Sequence, residues 1–305
     1  MRIGINGTGL VRFASVSRIV EDAERAEADG FSSYWLAEHP VGGLDALTVL
    51  AAIGPRTKSL ELGSAIVPTW PRHPMALAGQ ALTVQQQLSS PLVLGIGLSH
   101  GVMLEQLGIA FDKPIRHLRE FLDILLPLLT DGEVDVRGET LSCTARLFQK
   151  PEVSPLVVVA ALGPQALRVT GRMASGTILA WVGPKTIREH IRPTIDEAAS
   201  RAGRDEVPRI IATLPIAVTD DPAAVREFGS KTFSMYGELP SYQAMLQRED
   251  VSDPAELILT GAEDEVLEKL AELDAAGVTD FAASIFARGE DIARTRELLQ
   301  RASRG

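Results

Sequence analysis

The chain has 305 residues, enough for two ordinary domains or one large α/β barrel, and its 45% hydrophobic and 23% charged residues exclude disorder as the main state. A net charge of −10, with no run rich in Lys and Arg, argues against a nucleic-acid or anionic-membrane partner. A single cysteine, Cys143, excludes an intrachain disulfide framework and a cysteine-built zinc site. No stretch reaches the roughly 18 apolar residues of a membrane span, and Met1 to Gly9 lacks the basic-then-apolar pattern of a secretory signal. An unprocessed, soluble, cytoplasmic protein is expected.

Short β-branched runs alternate with longer segments of helical period. Strands are predicted at Arg2–Asn6, Ser32–Leu36, Leu60–Val67, Leu92–Gly97, Leu156–Ala160, Thr177–Ala180, Arg209–Val218 and Asp280–Ile285. Between the first two, Val16, Ile19, Val20, Ala23 and Ala26 mark one helix face, and Gly30 supplies a left-handed stop. The segment Val134 to Leu141 alternates around Arg137-Gly138, which predicts a hairpin inserted around residues 134–147, outside the repeat. Thr260-Gly-Ala-Glu263 has capping-box spacing ahead of a stripe of Val266, Leu267, Leu270 and Leu273 that ends at Gly277. Eight strands with intervening helices fit a single α/β domain over residues 1–305, a (β/α)8 TIM barrel with insertions at its carboxyl-end loops. A doubly wound sheet with a second domain is the alternative.

In a barrel the chemistry sits where the strands end, so the residues after each strand are the candidates for function. Gly4-Ile-Asn-Gly7-Thr-Gly9 imitates a dinucleotide fingerprint, but Arg12 stands where close helix packing needs Gly or Ala. Cys143 has no histidine partner before His190 and reads as a small filler beside the hairpin. Three histidines follow successive strands: His39 beside Glu38, His73, and His100. His117 and His190 fall within helical stretches and read as structural. No metal site is expected, because the His-x-His spacing of barrel hydrolases is missing, whereas Glu38-His39 and His100 suit proton transfer near neutral pH. Ala160-Ala-Leu-Gly163-Pro164-Gln165-Ala166 leaves a strand, turns at glycine and enters a helix, a geometry that offers free N–H groups to a phosphate. The glycines of Leu94-Gly-Ile-Gly97-Leu98-Ser99-His100 read as room for a flat ring or phosphate tail to approach the backbone.

The stretches Ala26-Glu-Ala-Asp-Gly30-Phe31, Leu62-Gly63-Ser64-Ala65-Ile66-Val67-Pro68, Arg72-His73-Pro74, Leu94 to His100, Ala160 to Pro164 and Ala276-Gly277-Val278-Thr279-Asp280 together resemble the bacterial luciferase-like superfamily. Within it they resemble the actinobacterial oxidoreductases that use the deazaflavin coenzyme F420. The resemblance implies a barrel holding F420 at its carboxyl mouth, with Gly163, Pro164, Gln165 and Ala166 around the phosphate and Leu98, Ser99 and His100 contacting cofactor and substrate. It also implies Ser64, Ala65 and Ile66 at a bulge behind the deazaflavin, with a non-proline cis peptide at Ala65–Ile66, and Glu38-His39 as an acidic-His pair near the reactive ring. Arg72, Lys113 and Arg116 are expected to meet the anionic tail. The chain departs from the family at Ser89-Ser90-Pro91 and Ala174-Ser175-Gly176, and His100 stands where the superfamily's sugar-phosphate dehydrogenase has an acid, which argues against that substrate. The activity implied is hydride transfer to or from a small organic molecule or modified peptide, with reduction of an activated C=C or C=N bond preferred. FMN in a two-component monooxygenase is the alternative, and a non-catalytic flavin-binding protein or a metal-dependent barrel hydrolase represents another class. A homodimer packed through barrel helices is implied as well.

Overall fold

A computed structural model describes residues 1–39 and 42–304. Eight parallel strands form the barrel: β1 (Arg2–Asn6), β2 (Ser33–Leu36), β3 (Glu61–Ser64), β4 (Val93–Gly97), β5 (Leu156–Ala160), β6 (Gly176–Ala180), β7 (Arg209–Thr213) and β8 (Asp280–Ile285). Strand β8 pairs back onto β1, with Arg2 opposite Asp280 and Gly4 opposite Ala282, which closes the sheet and removes its edges. The longer helices are α1 (Val16–Ala28), α2 (Ala46–Ile53), α3 (Pro74–Gln85), α4 (Pro114–Thr130), α5 (Pro164–Met173), α6 (Arg192–Arg201), α7 (Pro222–Glu238), α8 (Pro240–Arg248), α9 (Glu263–Ala275) and α10 (Asp291–Arg304). Each of the first six follows the strand of its own number, and α7 and α8 are an insertion ahead of α9. Helix α1 shows how locally these are set. Ser15 Oγ accepts the Arg18 N–H, Ile19, Ala23 and Ala26 are buried, and Gly30 ends the turn at φ +88°.

Inside the barrel, Trp35, Val93, Val158, Ile178, Ile211 and Ala282 form one buried layer contributed by six strands. Gly63 makes room for it, since a Cβ there would lie 2.2 Å from the Trp35 ring. The amino end is closed by charge. Arg209 reaches Glu61 at 2.8 Å and Asp280 at 2.7 Å, linking three strands, and Arg2 joins the same carboxylates. The strands end at the opposite, carboxyl face, where barrel sites are built.

Two predicted strands are each broken in two. The third stops at Ser64 and resumes as Val67–Pro68, with a cis peptide at Ala65–Ile66. Pairing continues across the break: the Ala65 N–H donates to Leu36 O (2.8 Å), the Glu38 N–H donates to Ile66 O (2.9 Å), and Val67–Pro68 lies against Ile96 and Gly97. The seventh stops at Thr213. Proline at 215 has no N–H for the ladder, and Pro215–Val218 swings out to pair with the end of β8 and with Leu259–Gly261, a strand the sequence reading missed. Thr260 therefore lies in a strand. Helix α9 starts after Ala262, whose N–H donates to Glu265 Oε2 at 2.9 Å, so the expected pairing of Thr260 with Glu263 does not form.

The hairpin forms from Glu133–Arg137 and Ser142–Arg146, with half-buried Cys143 opposite Val136. Its turn is gripped by Glu120 of α4, whose carboxylate accepts from the Glu139, Thr140 and Leu141 N–H groups and the Thr140 hydroxyl at 2.6–3.0 Å. After the cost of burial, those bonds favour the charged form and draw the Glu120 carboxyl down to about 2.

Candidate active site

The strand ends meet at the carboxyl mouth. Its floor includes half-buried Ala65, Ile66 and Ala160, which pack on the inner layer. Asn6 at the end of β1 donates through Nδ2 to Thr213 Oγ1 at the end of β7, a 2.7 Å bond between strands that flank β8. Ser64 is buried, and its hydroxyl both accepts the Gly95 N–H and donates to Gly95 O, at 2.9 Å each. It shapes the bulge. The glycines of β4 serve the same bulge and do not open the backbone to a ligand: a Cβ at Gly95 would lie 2.0 Å from Ser64 O, and one at Gly97 would lie 2.9 Å from Ile66 Cδ1.

Glu38 and His39 leave β2 together but differ in engagement. Arg72 donates to both Glu38 oxygens, at 2.5 and 3.2 Å, and to Asp45 at 2.6 Å, and Gln80 completes the cluster on Asp45. Such a two-pronged pair holds a carboxylate in place. The His39 ring has no hydrogen-bond partner among the described residues, and burial together with the nearby Arg12 guanidinium lowers its pKa. Leu98, Ser99 and His100 follow β4, all half-buried, with Ser99 in a left-handed backbone at φ +61°. Burial also lowers the His100 pKa. Both imidazoles are therefore biased toward the neutral form.

The other histidines have structural partners. His73 caps α3, its Nδ1 accepting the Met75 N–H at 3.2 Å, so this strand-end histidine is taken up by a helix start. His117 stacks on Trp70 with ring centroids 3.9 Å apart, and its burial depresses its pKa to about 4. His190 is buried in a π-helical turn with Nε2 2.8 Å from Leu162 O, where it steadies the loop leading to Gly163. At that loop Gly163 occupies the N-cap of α5, and Pro164 opens the helix. The Gly163, Gln165 and Ala166 N–H groups have no partner among the described residues, and a Cβ on Gly163 would meet nothing within 4 Å. Open amides at the positive end of a helix suit a phosphate.

The expected cations lie elsewhere. Arg72 is matched by Glu38 and Asp45, while Lys113 and Arg116 both pair with Glu139 on the hairpin turn. A feature the sequence reading missed is an aromatic wall over the β4-to-β8 side of the mouth, built from Trp181 after β6, Phe286 after β8, and Phe233, Tyr236 and Tyr242 from α7 and α8. Glu249 holds the insertion down by accepting the Lys185 and Thr186 N–H groups at 3.0 and 2.8 Å. Two of the three tyrosines falling within seven residues was the available signal.

Comparison with known proteins agrees with this architecture. The family described as luciferase-like monooxygenase matches residues 4–280. The chain is 25% identical over 292 residues to a 5,10-methylenetetrahydromethanopterin reductase of Archaeoglobus fulgidus, covering 85% of this chain and 86% of that protein. It is 30% identical over 192 residues to an F420-dependent glucose-6-phosphate dehydrogenase of Microbacterium testaceum, covering 59% and 57% respectively. The structure of the coenzyme F420 dependent tetrahydromethanopterin reductase from Methanopyrus kandleri superposes with a TM-score of 0.79 at 20% identity, covering 98% of both chains. By the extent of the family match, the chain belongs to the luciferase-like monooxygenase family.

Proposed function

We propose that the protein is an F420-dependent oxidoreductase that transfers hydride to a small organic or modified-peptide substrate, reducing an activated C=C or C=N bond. The observation that carries the cofactor choice is that relatives across this fold, the Microbacterium testaceum dehydrogenase and the Methanopyrus kandleri reductase, are named for F420. The open amides at the start of α5 fit its phosphate, and the small, half-buried Ala65 fits a flat ring system. When bound, the deazaflavin supplies a hydride at its carbon 5.

The chain's own residues then have three tasks. The Gly163, Gln165 and Ala166 amides bind the phosphate, with Pro164 starting the helix whose positive end faces it. Ala65 and Ile66 support the ring from behind, pinned by the Leu36 and Glu38 backbone bonds and by Ser64, while Leu98 and Ser99 border it. His39 and His100 move the proton at the substrate atom next to the reduced carbon, and Glu38, locked to Arg72, orients the His39 segment. The same reading includes a homodimer and a cytoplasmic setting, both resting on the family resemblance. Among the described residues no helix is long and apolar enough to cross a membrane.

Fluorescence titration of the purified protein with F420 and with FMN tests the assignment. Tighter binding of F420 is expected. Preference for FMN, with product formation that requires oxygen, would overturn it in favour of a monooxygenase.

A further inference from the structure

Six rings run edge to edge across one side of the mouth. His100 stands 5.3 Å from Tyr242, Tyr242 5.6 Å from Tyr236, Tyr236 5.3 Å from Trp181, Trp181 4.6 Å from Phe233, and Phe233 4.9 Å from Phe286. The line begins at the exit of β4, passes the exit of β6 and ends at the exit of β8, so three separate strand ends and both insertion helices converge on it. A patch that only sealed the insertion onto the barrel would need no polar atoms. This one carries the Tyr236 and Tyr242 hydroxyls and the His100 imidazole, all on half-buried side chains and none with a hydrogen-bond partner among the described residues. Among the described residues the buried polar atoms without a partner are Trp70 Nε1, Thr260 Oγ1 and Arg296 Nη2, so the two tyrosine hydroxyls are open to solvent and free to bond a ligand. Trp181 is held in a left-handed backbone at φ +58°, a conformation that bulky residues rarely adopt and that recurs at ligand sites.

Resting on the hydride-transfer reading above, we infer that the aromatic wall is the substrate side of the pocket, and that the substrate carries a flat conjugated body ending in a carbonyl or imine. The flat body stacks against half-buried Tyr236 and Tyr242, with buried Trp181 packed behind Tyr236 and holding it in place, and ring faces attract other π-systems beyond simple area burial. The carbonyl oxygen or imine nitrogen accepts from Tyr242 or Tyr236, which draws electron density from the conjugated bond and prepares it for hydride. Saturated, puckered molecules such as sugars fill this space poorly and leave the hydroxyls unmatched.

Calorimetric titration of the full chain with 4-phenylbut-3-en-2-one, its saturated counterpart 4-cyclohexylbutan-2-one, and glucose 6-phosphate tests this, with F420 titrated in parallel. The enone is expected to bind at least about tenfold more tightly than either comparator. Tyr242→Phe should weaken enone binding about two- to tenfold, the loss of one hydrogen bond. Trp181→Leu should weaken it about tenfold, with Trp181→Phe restoring most of the affinity. Equal binding of the two ketones, tighter binding of glucose 6-phosphate, or unchanged affinity in both Tyr242→Phe and Trp181→Leu overturns the inference. If F420 binds normally in that case, the cofactor reading survives alone. If F420 fails to bind while the enone preference holds, the cofactor reading falls and the substrate class stands.

Discussion

Two glycines near the mouth make opposite demands, and substituting each separates protein packing from ligand binding. At Gly95 an added Cβ would sit 2.0 Å from Ser64 O and 3.0 Å from Ser64 C, so the obstacle is backbone that no rotamer change can relieve. Overpacking costs about 1–3 kcal/mol, and a backbone clash belongs at the upper end. At roughly 2–4 °C per kcal/mol, Gly95→Ala should melt about 6–12 °C below the parent. At Gly163 nothing lies within 4 Å of the added atom and φ is −77°. Gly163→Val should therefore keep its stability within about 1 kcal/mol while occupying the space a phosphate needs, raising the F420 Kd at least about tenfold, which is about 1.4 kcal/mol. Thermal unfolding followed by circular dichroism and F420 fluorescence titration read the two effects separately. A stable Gly163→Val protein that binds F420 like the parent would refute the phosphate assignment. Parent-like melting of Gly95→Ala would refute the packing account of the bulge.

Replacing His39 or His100 by Gln should leave the F420 Kd within about twofold and slow turnover by roughly 10²–10⁴, and unchanged turnover in both variants would remove these histidines from proton transfer. Burial, aided at His39 by Arg12, lowers both pKa values, so reduction by an imidazolium donor should quicken as pH falls below 6.5, whereas oxidation should already be on its plateau at pH 7; an alkaline optimum for reduction would contradict this. The contribution of Glu120 to stability is complete above its unfolded value near 4.5 and fades as pH falls through about 2, so the melting-temperature gap between parent and Glu120→Gln should be widest at neutral pH and shrink below 4.5. A gap independent of pH would mean that the turn is not held by the carboxylate's charge.

Much of the site was legible as positions along the chain and little of it as contacts. Glu38 and His39 were found because they follow a strand, yet the Arg72 that holds Glu38 lies 34 residues away and was assigned instead to a ligand. Distance along the chain, 26 residues for Lys113, likewise hid the partnership of Lys113 and Arg116 with Glu139. Gly95 and Gly97 were recognised as necessary, but whether the room they leave belongs to a ligand or to Ser64 and Ile66 is invisible without the neighbouring strand.

What the sequence determined by itself was the order of elements. Hydrophobic period, Gly30, the Arg137-Gly138 turn and the Gly163-Pro164 helix start are local signals, because each depends on backbone preferences within one or two turns. Tertiary structure alone decided where the third and seventh strands break, since strand pairing is chosen by the partner's free N–H and C=O groups and not by the strand's own apolar pattern. It also decided the aromatic wall. His100 and Tyr242 come from segments separated by most of the barrel, and only closure of the sheet, with Glu249 holding the insertion over its mouth, sets their rings 5.3 Å apart.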